Sequence, residues 1–165
     1  MNIDKSSMRR RSFFVFLFTG LMSLFFNSKK AKADENNNWK LSASEWKDRL
    51  SPEAFSVLRN EGTERPFTSQ LNSEKSEGIF YCAGCDFPLF SSETKYDSGT
   101  GWPSFWDHLP GSIETKVDFK LIVPRTEYHC KRCGGHQGHV FSDGPQPTGK
   151  RYCNNGVALS FRAKN

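Results

Sequence analysis

The segments Cys82-Ala83-Gly84-Cys85 and Cys130-Lys131-Arg132-Cys133 share one cysteine spacing and are separated by 44 residues. Two thiolates at this spacing can occupy two corners of the tetrahedron that zinc prefers. Gly84 and Gly134 allow the tight turns that such a site requires. Four thiolates would leave no coordination position for a substrate. The pattern therefore predicts a structural zinc site that ties distant parts of the chain together.

Two other interpretations of these cysteines remain open. An exported protein could join them as disulfides, and a C-x-x-C pair can be a thioredoxin-like redox motif. The redox interpretation lacks a βαβ pattern around either pair. Zinc stoichiometry and a count of free thiols would distinguish the metal site from a disulfide-stapled structural protein.

The fifth cysteine lies in Lys150-Arg151-Tyr152-Cys153-Asn154-Asn155-Gly156-Val157-Ala158-Leu159. On a strand, Arg151 and Asn155 would share a face with Cys153, because each is two residues away. The thiolate is the nucleophile and a free thiol titrates near ~8.5. A neighbouring cation therefore favours reactivity at neutral pH, and Cys153 is the candidate for chemistry.

His136 and His139 lie close to the second cysteine pair and offer two imidazoles for acid–base chemistry. Each local feature also has an ordinary structural explanation. Cys153 alone is a small hydrophobic residue, the histidines are spare metal ligands or capping groups, and residues 99–106 are a tight turn with core aromatics. Taken together, the residues indicate a zinc-stapled β domain with a reactive cysteine.

The positive charge of the chain is confined to its N-terminal segment. Residues 1–33 carry seven Lys/Arg and one acidic residue, whereas the remaining 132 residues carry 16 Lys/Arg against 17 Asp/Glu, a balance of −1. A nearly neutral body has no basic stripe for phosphates. The main rival from another class is a zinc-ribbon-like binding module for nucleic acid or protein. The charge distribution argues against nucleic acid, and we expect no nucleic-acid partner.

Residues 1–33 have the three parts of an export signal. A basic head ends at Arg9-Arg10-Arg11, an apolar run covers residues 13–26, and Ala31-Lys32-Ala33 supplies a cleavage pattern. We expect cleavage after Ala33 and export to the periplasm or an equivalent extracytoplasmic or lumenal compartment. Residues 10–14 also resemble a twin-arginine signal.

The alternative is an uncleaved membrane anchor formed by residues 13–26. This run has 14 residues, short of the ~20 that a spanning helix needs. We expect contact with a membrane only through such a leader. Residues 34–41 are predicted to be a polar spacer, and residues 42–165 a single domain.

Residues 41–60 are predicted to form two short helices. Ser42 and Glu45 have capping-box spacing, and Ser51-Pro52 has a cap followed by proline at the first helical position. Phe55 and Leu58 are expected to face the core, and Gly62 to end the helical region. Short apolar runs after that point are strand candidates: 79–81, 119–123, 139–141 and 157–161. The chain is therefore predicted to be mainly β with a short N-terminal helical pair.

Several motifs together resemble the type B methionine sulfoxide reductases. The resemblance runs from about Trp46 to Phe161 and rests on five segments: Gly62-Thr63-Glu64-Arg65-Pro66-Phe67-Thr68, Tyr81-Cys82-Ala83-Gly84-Cys85, Ser98-Gly99-Thr100-Gly101-Trp102-Pro103-Ser104-Phe105, Cys133-Gly134-Gly135-His136-Gln137-Gly138-His139-Val140-Phe141 and Arg151-Tyr152-Cys153-Asn154-Asn155. It implies two antiparallel sheets and zinc on the four paired cysteines. It also implies reduction of the R epimer of methionine sulfoxide in proteins, with thioredoxin or another thiol as reductant. We expect a monomer.

The resemblance also assigns roles to residues of this chain. Cys153 would attack the sulfoxide sulfur and become a sulfenic acid, and Arg151 would favour its thiolate. The sulfoxide oxygen and water would be held by His136, His139 and Asn155. Trp102 and Phe141, with help from His139, would form the pocket for the substrate methyl group.

The chain departs from the family pattern at two positions. Thr100 stands where many members have a resolving cysteine, so we expect a one-cysteine cycle in which an external thiol reduces Cys153. Gly156 stands where serine is frequent, a difference that we expect to be tolerated.

Overall fold

The computed structural model describes residues 39–119 and 123–164. Helix α1 (Ala43–Arg49) begins at the predicted capping box, in which the Ser42 hydroxyl accepts from the Glu45 amide and the Glu45 carboxylate accepts from the Ser42 amide. Helix α2 (Pro52–Asn60) begins at Ser51, whose side chain accepts from the Ala54 amide. The predicted helical pair is confirmed.

The buried face of α2 differs from the prediction. Leu58 is buried as expected, but its partners are Ala54 and Val57, while Phe55 stays half-buried. The helix ends at Asn60, the last residue of the predicted helical segment and two residues before Gly62. Glu61 takes the left-handed conformation that closes the helix, with φ of 54°.

The strands form two antiparallel sheets, as the resemblance implied. They are β1 Gly78–Cys82, β2 Pro88–Ser91, β3 Lys95–Tyr96, β4 Ser104–Phe105, β5 Ile113–Asp118, β6 Arg125–Cys130, β7 His136–Phe141, β8 Arg151–Asn154 and β9 Leu159–Ala163. The small sheet has the order β2-β1-β9, and the large sheet has the order β3-β4-β8-β7-β6-β5. Strand β8, which carries Cys153, therefore lies inside the large sheet.

Two strand predictions need correction. The run 119–123 was expected to be a strand, but β5 ends at Asp118 and β6 begins at Arg125; residues 120–122 lie outside the described part of the chain. The run 157–161 begins with a 3₁₀ turn, Gly156–Ala158, and extends only from Leu159. Its apolar residues are buried in both conformations, so pattern alone could not separate them.

The core lies between the two sheets and is built from aromatic rings. Phe105 of the large sheet packs on Phe90 at 4.2 Å between ring centroids and on Phe80 at 5.0 Å, both from the small sheet. Phe80, Phe90 and Phe105 are fully buried. These ring contacts hold the inner face of the large sheet against the small sheet.

The predicted leader and anchor, residues 1–33, lie outside the described residues. Among residues 39–119 and 123–164, no helix has the length and apolar character needed to cross a bilayer.

Candidate active site and metal centre

The four paired cysteines converge in one buried cluster. Their sulfur atoms all lie within 4.8 Å of one another, with 3.6 Å between Cys82 and Cys133 and 3.5 Å between Cys85 and Cys130. A tetrahedron with zinc–sulfur bonds of about 2.3 Å has edges of about 3.8 Å, whereas a disulfide is about 2.05 Å. The arrangement is that of a structural metal site and not of two disulfides.

The cluster joins the two sheets. One pair lies at the β1–β2 turn of the small sheet, and the other lies at the β6–β7 turn of the large sheet. Helix α2 closes the site, because both terminal nitrogens of Arg59 donate to the Cys133 carbonyl at 3.1 Å. The Gln137 amide nitrogen lies 3.4 Å from the Cys82 sulfur and donates to it.

The donor set fits a soft divalent metal. Hydrogen bonding to the Cys130 and Cys133 thiols, together with burial, raises the pKa of the Cys82 thiol well above its ordinary value. Four anionic sulfurs at these separations need a cation between them, and zinc binds thiolate outright. The redox-motif alternative finds no support, since each described pair lies at an antiparallel turn and not at the start of a helix.

A single register row crosses all six strands of the large sheet. Ser104 of β4 and His139 of β7 lie directly opposite Cys153 of β8, one on each side. Beyond them the row continues to the two edges of the sheet through Tyr96, Glu127 and Lys116. Because residues paired across antiparallel strands project from the same face, the row places Ser104 and His139 beside Cys153 and the other three residues farther out on that face.

The backbone behind this row is tightly closed. A Cβ atom added at Gly138 would lie 1.9 Å from the carbonyl oxygen of Cys153. Only glycine lets β7 approach β8 this closely. Cys153 is therefore held rigidly in the sheet while its side chain remains half-buried.

The electrostatics at Cys153 differ in part from the sequence prediction. Burial raises the pKa of the Cys153 thiol above its ordinary value of 9.0, and the Arg151 cation and a hydrogen bond with Thr100 partly offset this. Arg151 thus favours the thiolate, as predicted, but it does not outweigh burial. At neutral pH the resting group is the thiol.

Arg151 is held by two partners. Its Nε and a terminal nitrogen donate to the two carboxylate oxygens of Asp143, at 2.9 and 2.8 Å. Its guanidinium carbon lies 4.4 Å from the ring centroid of Phe141, which is the register partner of Arg151. This forked ion pair and the stacked ring fix the cation beside Cys153.

A β-bulge brings His136 and His139 to the same face. Register passes from Tyr128–Gly138 to His129–His136, so Gln137 is the extra residue on β7. The two imidazole centroids lie 5.4 Å apart. Neither histidine is a ligand in the cysteine cluster.

Each imidazole is paired with a carboxylate. His136 Nδ1 lies 2.9 Å from Glu127 Oε1, and His139 Nε2 lies 2.8 Å from Asp118 Oδ2. Burial lowers the pKa of His136 below its ordinary value, although Glu127 opposes this. His136 is therefore neutral near pH 7.

Asn155 does not continue the Cys153 face as the sequence predicted, because β8 ends at Asn154. Its side chain is buried and engaged by backbone: Nδ2 donates to the Gln137 carbonyl at 2.9 Å, and Oδ1 accepts from the Glu64 amide at 3.0 Å. Asn155 therefore connects the bulge at Gln137 to the backbone at Glu64.

Trp102 is attached to the same Glu64 segment. Its indole nitrogen donates to the Glu64 carbonyl at 3.2 Å, and it lies two residues before Ser104 of the central row. The Glu64 carboxylate accepts from the amides of Gly156 and Val157. Trp102 and the end of β8 are therefore positioned by one residue.

The structure brings Arg151, His139 and Phe141 together around Cys153, with His136 beside His139. Sequence reasoning missed the acidic residues that orient these groups. Asp143, Glu127 and Asp118 carry no local motif. Glu127 and Asp118 reach their histidines through strand pairing, and Asp143 reaches Arg151 from the loop between β7 and β8.

Comparison with known proteins agrees with the geometry. The SelR domain model matches residues 50–163. A chloroplastic peptide methionine sulfoxide reductase B1 from Arabidopsis thaliana is 49% identical over 133 residues, which cover 80% of this chain and 66% of that protein. Peptide methionine sulfoxide reductases MsrB from Methanosarcina barkeri and Pseudomonas putida are each 52% identical, over 74% and 73% of this chain and 87% and 92% of theirs. The chain belongs to the SelR domain family, and the predicted family resemblance is confirmed.

Proposed function

We propose that this protein reduces methionine sulfoxide in peptides and proteins, with Cys153 as the nucleophile. The observation that carries the proposal is the position of Cys153 in the register row, half-buried between Ser104 and His139, in a chain of the SelR family. The relatives named above are all methionine sulfoxide reductases. Repair of oxidised proteins is the corresponding biological role.

The first half of the cycle follows from sulfur chemistry. The Cys153 sulfur attacks the sulfoxide sulfur, the thiol proton moves to the sulfoxide oxygen, and the oxygen is transferred to Cys153. Methionine leaves reduced, and Cys153 becomes a sulfenic acid. His139, opposite Cys153, and the adjacent His136 are the groups that move the proton.

Selectivity for the R epimer requires a site that distinguishes a methyl group from an oxygen on sulfur. Trp102 and Phe141 supply apolar surface, and the two histidines supply polar atoms. Asn155 contributes by fixing the bulge that carries His136. We infer that the methyl group lies against the rings and the oxygen toward the imidazoles.

The metal in the cysteine cluster is proposed to be one zinc ion per chain. Zinc suits four thiolates and has no redox chemistry of its own. Cys82, Cys85, Cys130 and Cys133 would hold it and join the two sheets. It supplies folding energy and takes no part in the reaction.

The second half of the cycle needs an external thiol. Thr100, and not a cysteine, contacts Cys153, and the other four cysteines are in the metal cluster. A reductant thiol, from thioredoxin or another donor, attacks the sulfenic sulfur and releases water. A second thiol resolves the mixed disulfide. Trapping oxidised enzyme tests this, because an intramolecular disulfide to Cys153 would exclude the one-cysteine cycle.

We also propose that the protein works outside the cytoplasm after export, with residues 1–33 as the signal. The support is the sequence of that segment alone. The N-terminal sequence of protein recovered from a fractionated native host tests cleavage after Ala33 and location together. Full-length protein in the membrane fraction would favour the anchor formed by residues 13–26.

The activity is tested with peptides that contain separate R and S epimers of methionine sulfoxide. Thioredoxin and dithiothreitol are supplied in parallel as reductants, and Cys153→Ser is the control. Turnover of the R epimer alone, lost in Cys153→Ser, is the expected result. No turnover of either epimer, with the metal bound and Cys153 reduced, would favour a binding module instead.

A further inference from the structure

His136 has an unusual hydrogen-bonding state. Its side chain is 2% exposed, and its Nε2 atom has no hydrogen-bond partner among the described residues. Buried polar atoms without partners are rare and ask for an explanation. The other ring nitrogen, Nδ1, is bound to Glu127.

Glu127 is equally buried, with a side-chain exposure of 3%. Its second oxygen lies 3.0 Å from Lys116 Nζ, and Lys116 also pairs with Glu61 at the end of α2. The Lys116 ammonium donates to this oxygen and forms an ion pair with the Glu127 carboxylate. A carboxylate can only accept hydrogen bonds, so Nδ1 of His136 carries the proton and Nε2 presents a lone pair.

We propose that Glu127 is a positioning residue for His136. It fixes the tautomer and ring orientation so that Nε2 is free to hold the proton that the Cys153 thiol gives up and the sulfoxide oxygen gains. The inference rests on the proposed methionine sulfoxide reductase function. The proposal gives the ion-pair chain Glu61–Lys116–Glu127 a part in orienting His136, although these residues lie outside the motifs recognised in the sequence.

The proton balance of the reductive step supports this role. The resting thiol is protonated, and its proton ends on the oxygen of the sulfenic acid, so no outside proton source is required. While the proton is held on His136, the imidazolium is next to an anion, Glu127, and both side chains are at most 3% exposed. The other titratable groups facing His136 are His139 on its own strand and Glu61 at the end of α2.

A surface cavity gives access to the carboxylate from the side of Lys116. Its volume is about 370 Å³, and its lining includes Glu61, Lys116, Asp118, Phe119 and Glu127. A small carboxylate such as formate fits a space of this size. The cavity therefore allows chemical rescue of a Glu127→Ala variant in the intact protein.

The experiment uses the full chain and measures single-turnover formation of methionine, together with steady-state kcat and KM. Glu127→Gln keeps the shape and an acceptor but removes the charge, and Glu127→Ala leaves a space. Glu114→Gln and Glu114→Ala are the matched controls, because Glu114 faces His129 at 3.8 Å on the same β5–β6 hairpin. Wild-type turnover establishes the proposed function before any variant is compared.

We expect at least a tenfold loss of single-turnover rate in both Glu127 variants, KM within twofold of wild type, and partial recovery of Glu127→Ala with added formate. The Glu114 variants should stay within twofold and not respond to formate. Wild-type rates in Glu127→Gln, or no formate response in Glu127→Ala, would overturn the proposal. If the Glu127 variants do not fold, nitrogen-15 NMR of wild-type His136 decides, since a proton on Nε2 and not on Nδ1 contradicts it.

Discussion

The hydroxyl oxygen of Thr100 lies 2.8 Å from that of Ser98, and the Thr100 side chain lowers the pKa of the Cys153 thiol. Ser98 in turn lies 2.8 Å from Ser104, which is opposite Cys153 in the sheet. Hydroxyl groups thus line one side of the sulfur. Where the resemblance implies a second thiol in many members of the family, this chain has the Thr100 hydroxyl beside Cys153.

Replacing Thr100 with valine should make Cys153 less reactive. The hydrogen bond from Thr100 lowers the pKa of the Cys153 thiol, so its loss raises that pKa further above 9.0 and reduces the thiolate fraction at pH 7. A hydrogen bond to a charged group of this kind corresponds to about tenfold in rate. The measurement is alkylation by iodoacetamide as a function of pH. Thr100→Ser should behave like wild type, and identical profiles for valine and wild type would contradict the assignment.

Replacing Arg151 with methionine should have the same sign of effect. The Arg151 cation lowers the pKa of the Cys153 thiol, so its removal shifts the alkylation profile to higher pH and slows turnover about tenfold at pH 7. Arg162→Met is a matched control, because Arg162 also pairs with an aspartate, Asp86, at 2.7 Å and covers an aromatic ring, Tyr81, at 4.5 Å. Equal shifts in the two variants would show that the effect is not local to Cys153.

Removing the metal should unfold the protein cooperatively. The four sulfurs join the two sheets, and metal binding to such sites contributes about 10 kcal/mol or more to folding. We expect one zinc per chain by elemental analysis, and a large drop in melting temperature with a strong chelator. Cys85→Ser should lower the zinc content, whereas Cys153→Ser should keep both zinc and melting temperature. Full metal loss without a change in melting temperature would refute a structural role.

Gly156 has no space for a side chain. A Cβ atom at this position would lie 1.9 Å from the Ser69 hydroxyl, so Gly156→Ala should destabilise the fold by about 1–3 kcal/mol. Ser69→Gly in the same chain should restore most of that loss, because it vacates the space. The free energies of unfolding in urea for the two single variants and the double variant test this. Additive losses would mean that the two residues are not coupled.

Local signals in the sequence predicted the parts of the fold that local chemistry decides. Ser42 and Ser51 cap the two helices as expected, since a cap needs only the next three residues. The cysteine pairs predicted their own convergence, because two pairs at this spacing can bind one metal ion together. The start of β9 was missed because buried 3₁₀ turns and buried strands have the same composition.

The orienting residues of the site could not be found in this way. Asp143 lies in the loop between β7 and β8, eight positions before Arg151. Glu127 reaches His136 only through a bulge at Gln137. The direction in which the pKa of the Cys153 thiol shifts could not be predicted from the sequence either. Arg151 is visible two residues from Cys153, but the burial that outweighs it depends on the whole sheet.

The close approach of Gly138 to the Cys153 carbonyl constrains the order in which substrate and reductant can bind. The sulfur cannot travel toward a reductant, because its backbone is locked between two strands. The oxidised substrate and the reducing thiol must therefore bind over Cys153 in alternation, each after the other has dissociated. A large excess of either substrate should inhibit the binding of the other, which is the double substrate inhibition typical of a single site that serves both half-reactions.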